Sequence, residues 1–98
     1  MTTPENQLAE LARTFPSMDR CPAIMQRLPP FDANMLDGWA ASGGPSHGER
    51  VTAQFLLAVW DPDQEWKSGR FNLMEALRVW DERHREAFLK WASSPWWP

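Results

Sequence analysis

The feature that most constrains this chain is how little it offers to a β-sheet. Val and Ile together number four, Thr four, and Tyr is absent. Strands are built from β-branched and aromatic residues, so a sheet has almost no material here. Ala (11), Leu (9) and Met (5) favour helices instead. Leu, Ile, Val and Phe make only 18 of the 98 residues, a share low enough to warn of disorder when net charge is also high. The net charge is only -3, and seven Trp with five Met restore the missing apolar volume. The expectation is an all-α, single small domain over 1–98, with four to five helices and a core rich in Trp and Met.

Helix signals recur along the chain. Thr3-Pro4-Glu5 reads as a cap, a first helical Pro and an acid at the positive dipole end, followed by the stripe Leu8, Leu11, Ala12, Phe15. Cys21, Ile24, Met25 and Leu28 repeat that spacing, with Ser17 or Asp19 as cap, until Pro29-Pro30. Asp32 caps a third short helix carrying Met35, Leu36, Trp39 and Ala40, and Ser42-Gly43-Gly44-Pro45 breaks the chain. Ser46 and Glu49 form a capping box for a central helix over about 46–60, apolar nearly all round and therefore buried. Residues 61–70 read as a polar loop. Asn72 and Glu75 form another capping box.

From there Leu73, Leu77, Trp80, His84, Phe88 and Trp91 stay within one arc at 3.6 residues per turn. That periodicity predicts one long helix over about 72–92. A separate helix capped by Asp81 is the weaker alternative, because the stripe stays in phase across it. Asp81 with Arg85 and Glu86 with Lys90 have the spacing of supporting ion pairs. The expected core is Leu11, Phe15, Ile24, Leu28, Trp39, Val51, Phe55, Val59, Leu73, Leu77, Trp80, His84, Phe88 and Trp91.

Several function classes are disfavoured. The mildly acidic balance argues against a nucleic-acid or polybasic membrane binder. The basic residues of the last helix, Arg78, Arg83, Arg85 and Lys90, alternate with acids that repel phosphate. No apolar run nears a membrane span, Met1 to Glu5 lacks a signal stretch, and Cys21 has no disulfide partner, so a cytoplasmic protein is expected. The acids at 61, 63 and 65 do not make an EF-hand, because Trp66 stands where Gly is needed and Asn72 where Glu is needed. Gly43-Gly44-Pro45 lacks the Lys and Ser/Thr of a phosphate loop.

Three residues invite chemistry. His84 beside Asp81 has the makings of a base or metal ligand, but its place in the apolar stripe favours a core histidine with bonded ring nitrogens. His47, in the first turn of its helix, reads as solvated surface. Cys21 reads as a small buried hydrophobe rather than a nucleophile. No metal, no cofactor and no enzymatic activity are expected. The alternative is a small Cys/His-dependent enzyme or metal-binding bundle using Cys21, His47 or His84.

The tryptophans carry the functional expectation. Trp66, Trp96 and Trp97 fall outside periodic helix, and Leu89 projects away from the main stripe beside Arg78, Glu82 and Arg85. Those seven residues are the candidate partner-binding set, since Trp and Arg concentrate at binding hot spots. The Trp96-Trp97 tail has a second reading, as a lid folded over the core. The expected function is protein–protein interaction, as a small inhibitor, adaptor or subunit with a basic partner, or as a homodimer. Size and acidity offer a loose analogy with phage- and mobile-element-encoded proteins directed against host enzymes or defence complexes.

Overall fold

The computed structural model describes residues 3–19 and 31–98. The Cys21–Leu28 stripe lies outside the described residues, and with it the expected roles of Cys21, Ile24 and Leu28. Six helices and no strand occur among the described residues. They are α1 (Pro4–Arg13), α2 (Pro16–Asp19), α3 (Ala33–Ala41), α4 (His47–Trp60), α5 (Leu73–Val79) and α6 (Glu82–Ser93).

Side-chain caps start these helices. Thr3 accepts from Asn6 N–H, Asp32 from Met35 N–H, Asn72 from Glu75 N–H and Asp81 from His84 N–H. At α4 the capping box closes in both directions, with Glu49 N–H on Ser46 Oγ and Ser46 N–H on Glu49 Oε1. Each cap satisfies a backbone donor that the first helical turn leaves without a carbonyl.

Helix α4 is the axis of the fold. Residues 51–57 and Val59 are all buried, and α1, α2, α3 and α5 pack against it. Helix α6 reaches α4 through rings. Phe55 sits at the hub, its centroid 5.5 Å from those of Phe15 and Phe88, 5.4 Å from Phe71, 5.2 Å from Trp91 and 6.1 Å from Trp80. Tilted and edge-on pairs at such spacings suit the ring quadrupole. A layer of rings thus fills the gap that aliphatic side chains fill in other bundles.

The expected long helix over 72–92 is two helices. Trp80 leaves helical geometry at φ -68°, ψ 140°, and Asp81 follows at φ -77°, ψ -178°. Two interactions, one local and one across the fold, outweigh continuation. The Asp81 carboxylate opens α6 by accepting the His84 N–H at 3.0 Å. The extended Trp80 drops its indole into the core, where Nε1–H donates to Thr52 Oγ1 at 2.9 Å. The break changes the phase of α5, so Leu73 is exposed rather than in the core and Leu77 is only half-buried. The expected ion pairs do not form. Asp81 is engaged with His84, Arg85 Nη1 donates to Trp80 O at 3.0 Å, and Glu86 and Lys90 do not meet.

Leu11, Phe15, Val51, Phe55, Val59, Trp80 and His84 are buried as expected. Trp39, Phe88 and Trp91 pack against the core partly buried. Met18, Phe31 and Leu36 join the core without having been expected there.

The loop after α4 is bolted down by a buried carboxylate. Asp37 on α3 accepts from Lys67 N–H (3.1 Å), Ser68 N–H (2.9 Å) and Ser68 Oγ–H (2.8 Å). From the other side, Gln54 Nε2 and Arg50 Nη2 of α4 donate to Ser68 O. Gly69 turns the chain at φ 94°, and a Cβ there would lie 3.3 Å from Gln54 Nε2.

Candidate functional site

The seven candidate partner-binding residues do not form one patch. Glu82, Arg85 and Leu89 share the outer face of α6, at steps of three and four, and all are exposed. Leu89 is 59% exposed, so the tail does not cover it. Arg78 is exposed but belongs to α5, across the break at Trp80 and Asp81.

The two terminal tryptophans part company. Trp96 packs half-buried against the core and faces Gln7, Glu10, Leu11 and Thr14 of the α1 region, as a lid would. Its carbonyl accepts Trp91 Nε1–H at 3.2 Å, which ties the tail down. Trp97 stands edge-on to Trp91 at 5.5 Å and remains 57% exposed.

Trp66 lies apart, half-buried in the 61–72 loop. With Gln54, Asp61, Arg70 and Phe71 it walls a cavity of about 170 Å³ beside the end of α4. Its Nε1–H is shielded from solvent and is the one buried side-chain nitrogen or oxygen without a partner among the described residues. That shielding also keeps the N–H from the cavity, so the indole offers no donor there.

His84 is where the most specific chemistry gathers. Ser17 N–H reaches its Nε2 at 3.2 Å, so that nitrogen carries no proton and the neutral ring is protonated at Nδ1. Nδ1–H then donates to Asp81 Oδ1 at 2.7 Å, and Ser17 Oγ–H donates to Nε2 at 2.8 Å. The order Ser, His, Asp is that of a nucleophilic relay. Among the described residues, the backbone donors next to Ser17 are already engaged. An acyl intermediate requires free donors for its oxyanion, yet the next two backbone N–H groups, of Met18 and Asp19, both donate to Phe15 O. The Ser17 N–H itself is spent on the imidazole. The trio works as a clasp between α2 and α6.

The sequence reading of His84 as a core histidine with both ring nitrogens bonded fits this geometry. In the sequence Ser17 reads only as a cap, and nothing local marks a contact between residues 67 apart. His47 is exposed, as expected of a solvated surface residue, but its Nε2 also meets Glu75 Oε1 at 2.7 Å, joining α4 to α5. Among the described residues no group of three or more His, Cys, Asp or Glu is placed to hold a metal, and no helix is long and apolar enough to cross a membrane.

The clasp leaves an electrostatic signature on Asp81. Its hydrogen bond to the His84 side chain, then that to the His84 backbone, hold its carboxyl below the ordinary value of 3.8, with partial desolvation opposing. A carboxylate lowered in the folded state stabilises above its unfolded pKa and loses that contribution as pH falls through the folded one. Thermal melts below about pH 4 should therefore fall more steeply for the wild type than for Asp81→Asn. Parallel acid limbs would show that Asp81 is not coupled to folding.

Comparison of the chain with protein-family models, with curated proteins and with solved structures found no match.

Proposed function

We propose that the protein acts without catalysis, by binding another protein through the outer face of α6 and the exposed Trp97, as a small inhibitor, adaptor or subunit. The observation that carries this reading is the exposure of two large apolar side chains, Leu89 on the α6 face that carries Glu82 and Arg85, and Trp97 edge-on to Trp91. An apolar anchor within a charged surround is the composition of an interaction hot spot and its rim. The net charge of -3 favours a basic partner.

The test is affinity capture from the source cell with the wild type, Leu89→Glu, Trp97→Ala and Trp66→Ala. Leu89→Glu and Trp97→Ala should each lose the partner while melting as the wild type does, because neither side chain is part of the core. Trp66→Ala should keep the partner. Equal capture by all four proteins would refute the assignment. Sedimentation distinguishes the homodimer, which would dissociate in the Leu89→Glu and Trp97→Ala variants.

A further inference from the structure

Among the described residues, the hydrogen bonds between α2 and α6 all end on one imidazole. Both Ser17 donors converge on His84 Nε2, while Nδ1–H is held by Asp81. The two sides of the ring respond differently to a proton. The Nδ1–H bond to Asp81 persists in the imidazolium. Nε2 changes from an acceptor to a donor. The Ser17 hydroxyl can rotate to accept from it, but the Ser17 backbone N–H cannot and is left facing an N–H. Protonation therefore acts on the α2 side of the clasp and spares the Asp81 side.

The described surroundings of the ring are mostly apolar. His84 is 8% exposed, and the Phe15 ring packs 6.0 Å from it. Asp81 is the one charged side chain bonded to the ring among the described residues. Of the neighbouring charges on α6, Arg85 is turned to Trp80 O and Arg83 lies in a surface groove. Helix α2 contributes the exposed Asp19, α1 ends in the exposed Arg13, and α4 meets this region with the apolar Phe55. The groove, of about 410 Å³, has Thr14 and Pro16 on one side and Arg83, Glu86, Ala87 and Lys90 of α6 on the other. It straddles the joint that the clasp holds shut.

We propose that His84 is a proton-operated latch, whose protonation frees the Ser17 backbone from α6 and loosens the groove between the α1–α2 segment and α6. The test is a nuclear magnetic resonance titration of the full chain from about pH 8 to about pH 5, where imidazoles titrate. The chain has two histidines, so His47→Gln leaves the His84 ring signals unambiguous. The Ser17 amide should shift in step with the His84 ring, and its exchange with solvent should quicken at the acid end as the backbone N–H loses its acceptor. The shift should survive in His47→Gln and vanish in His84→Gln. The wild type and His47→Gln decide the matter even if His84→Gln does not fold. The latch is overturned if the His84 ring does not titrate in this range, if it titrates while the Ser17 amide stays still, or if that amide exchanges no faster at the acid end than the neighbouring helical amides do.

Discussion

Replacing Phe55 by Ala should cost about 3–5 kcal/mol of stability. The ring is 2% exposed and lies within 6.1 Å, centroid to centroid, of Phe15, Phe71, Trp80, Phe88 and Trp91. Its neighbours come from the α1–α2 junction, the segment before α5, the α5–α6 break and α6, and most also pack on one another, so none can relax into the space without abandoning another contact. Rigid planar rings also fill a void less readily than Met or Leu would. The loss should appear in urea unfolding as a lower midpoint with little change in slope. A cost below about 1 kcal/mol, outside the range for a deleted core ring, would mean that the aromatic layer is loosely packed. For a domain whose total stability is on the order of 5–15 kcal/mol, the expected loss is a large fraction.

Asp37→Ala should be comparably damaging, by about 3–5 kcal/mol, through a different mechanism. The side chain is 6% exposed and is the acceptor for two backbone N–H groups and one hydroxyl of the loop. Removing it strands the Ser68 donors inside the protein, where Ser68 is fully buried. Asp37→Asn keeps one acceptor oxygen and should lose less than the alanine. Urea unfolding orders the three proteins, and loop amide exchange should rise most in the alanine. Equal stability of wild type and alanine variant would show that water replaces the carboxylate at no cost.

The sequence speaks clearly wherever the decisive interaction is local. Thr3, Asp32, Ser46 with Glu49, and Asn72 are each three residues from the N–H they bind, and all these caps form, but the expected Asn72–Glu75 box closes only in one direction because Glu75 Oε1 meets His47 instead. The central helix is legible for the same reason, since its burial is written in consecutive apolar residues. Asp81 shows the limit. Its capping geometry and the helical stripe running through it are both local signals, and they point in opposite directions. What decides between them is Thr52, which takes the Trp80 indole from 28 positions away. Ser68 and Asp37 look like ordinary surface polar residues until the fold brings them together. The partner-binding set was read as one group because Arg78 and Leu89 share a face only on an unbroken helix. Trp96 and Trp97 are adjacent in sequence, yet one rests on the core and the other does not. Only the reach of the tail back to α1 separates them.

The clasp at His84 also bears on how fast the molecule comes together and apart. Helix α4 can gather α3 and α5 from either side of itself along the chain, whereas Ser17 and His84 meet only when a 67-residue segment closes. Loop closure on that scale adds an entropic cost that nearby pairings escape. The clasp is therefore expected late, after the rate-limiting barrier, with φ-values near zero at Ser17. Weakening it should leave the refolding rate almost unchanged and speed unfolding by nearly the whole loss in stability. The first and last helical segments then act as a kinetic fastening, one that governs how long the native state lasts more than how quickly it is reached.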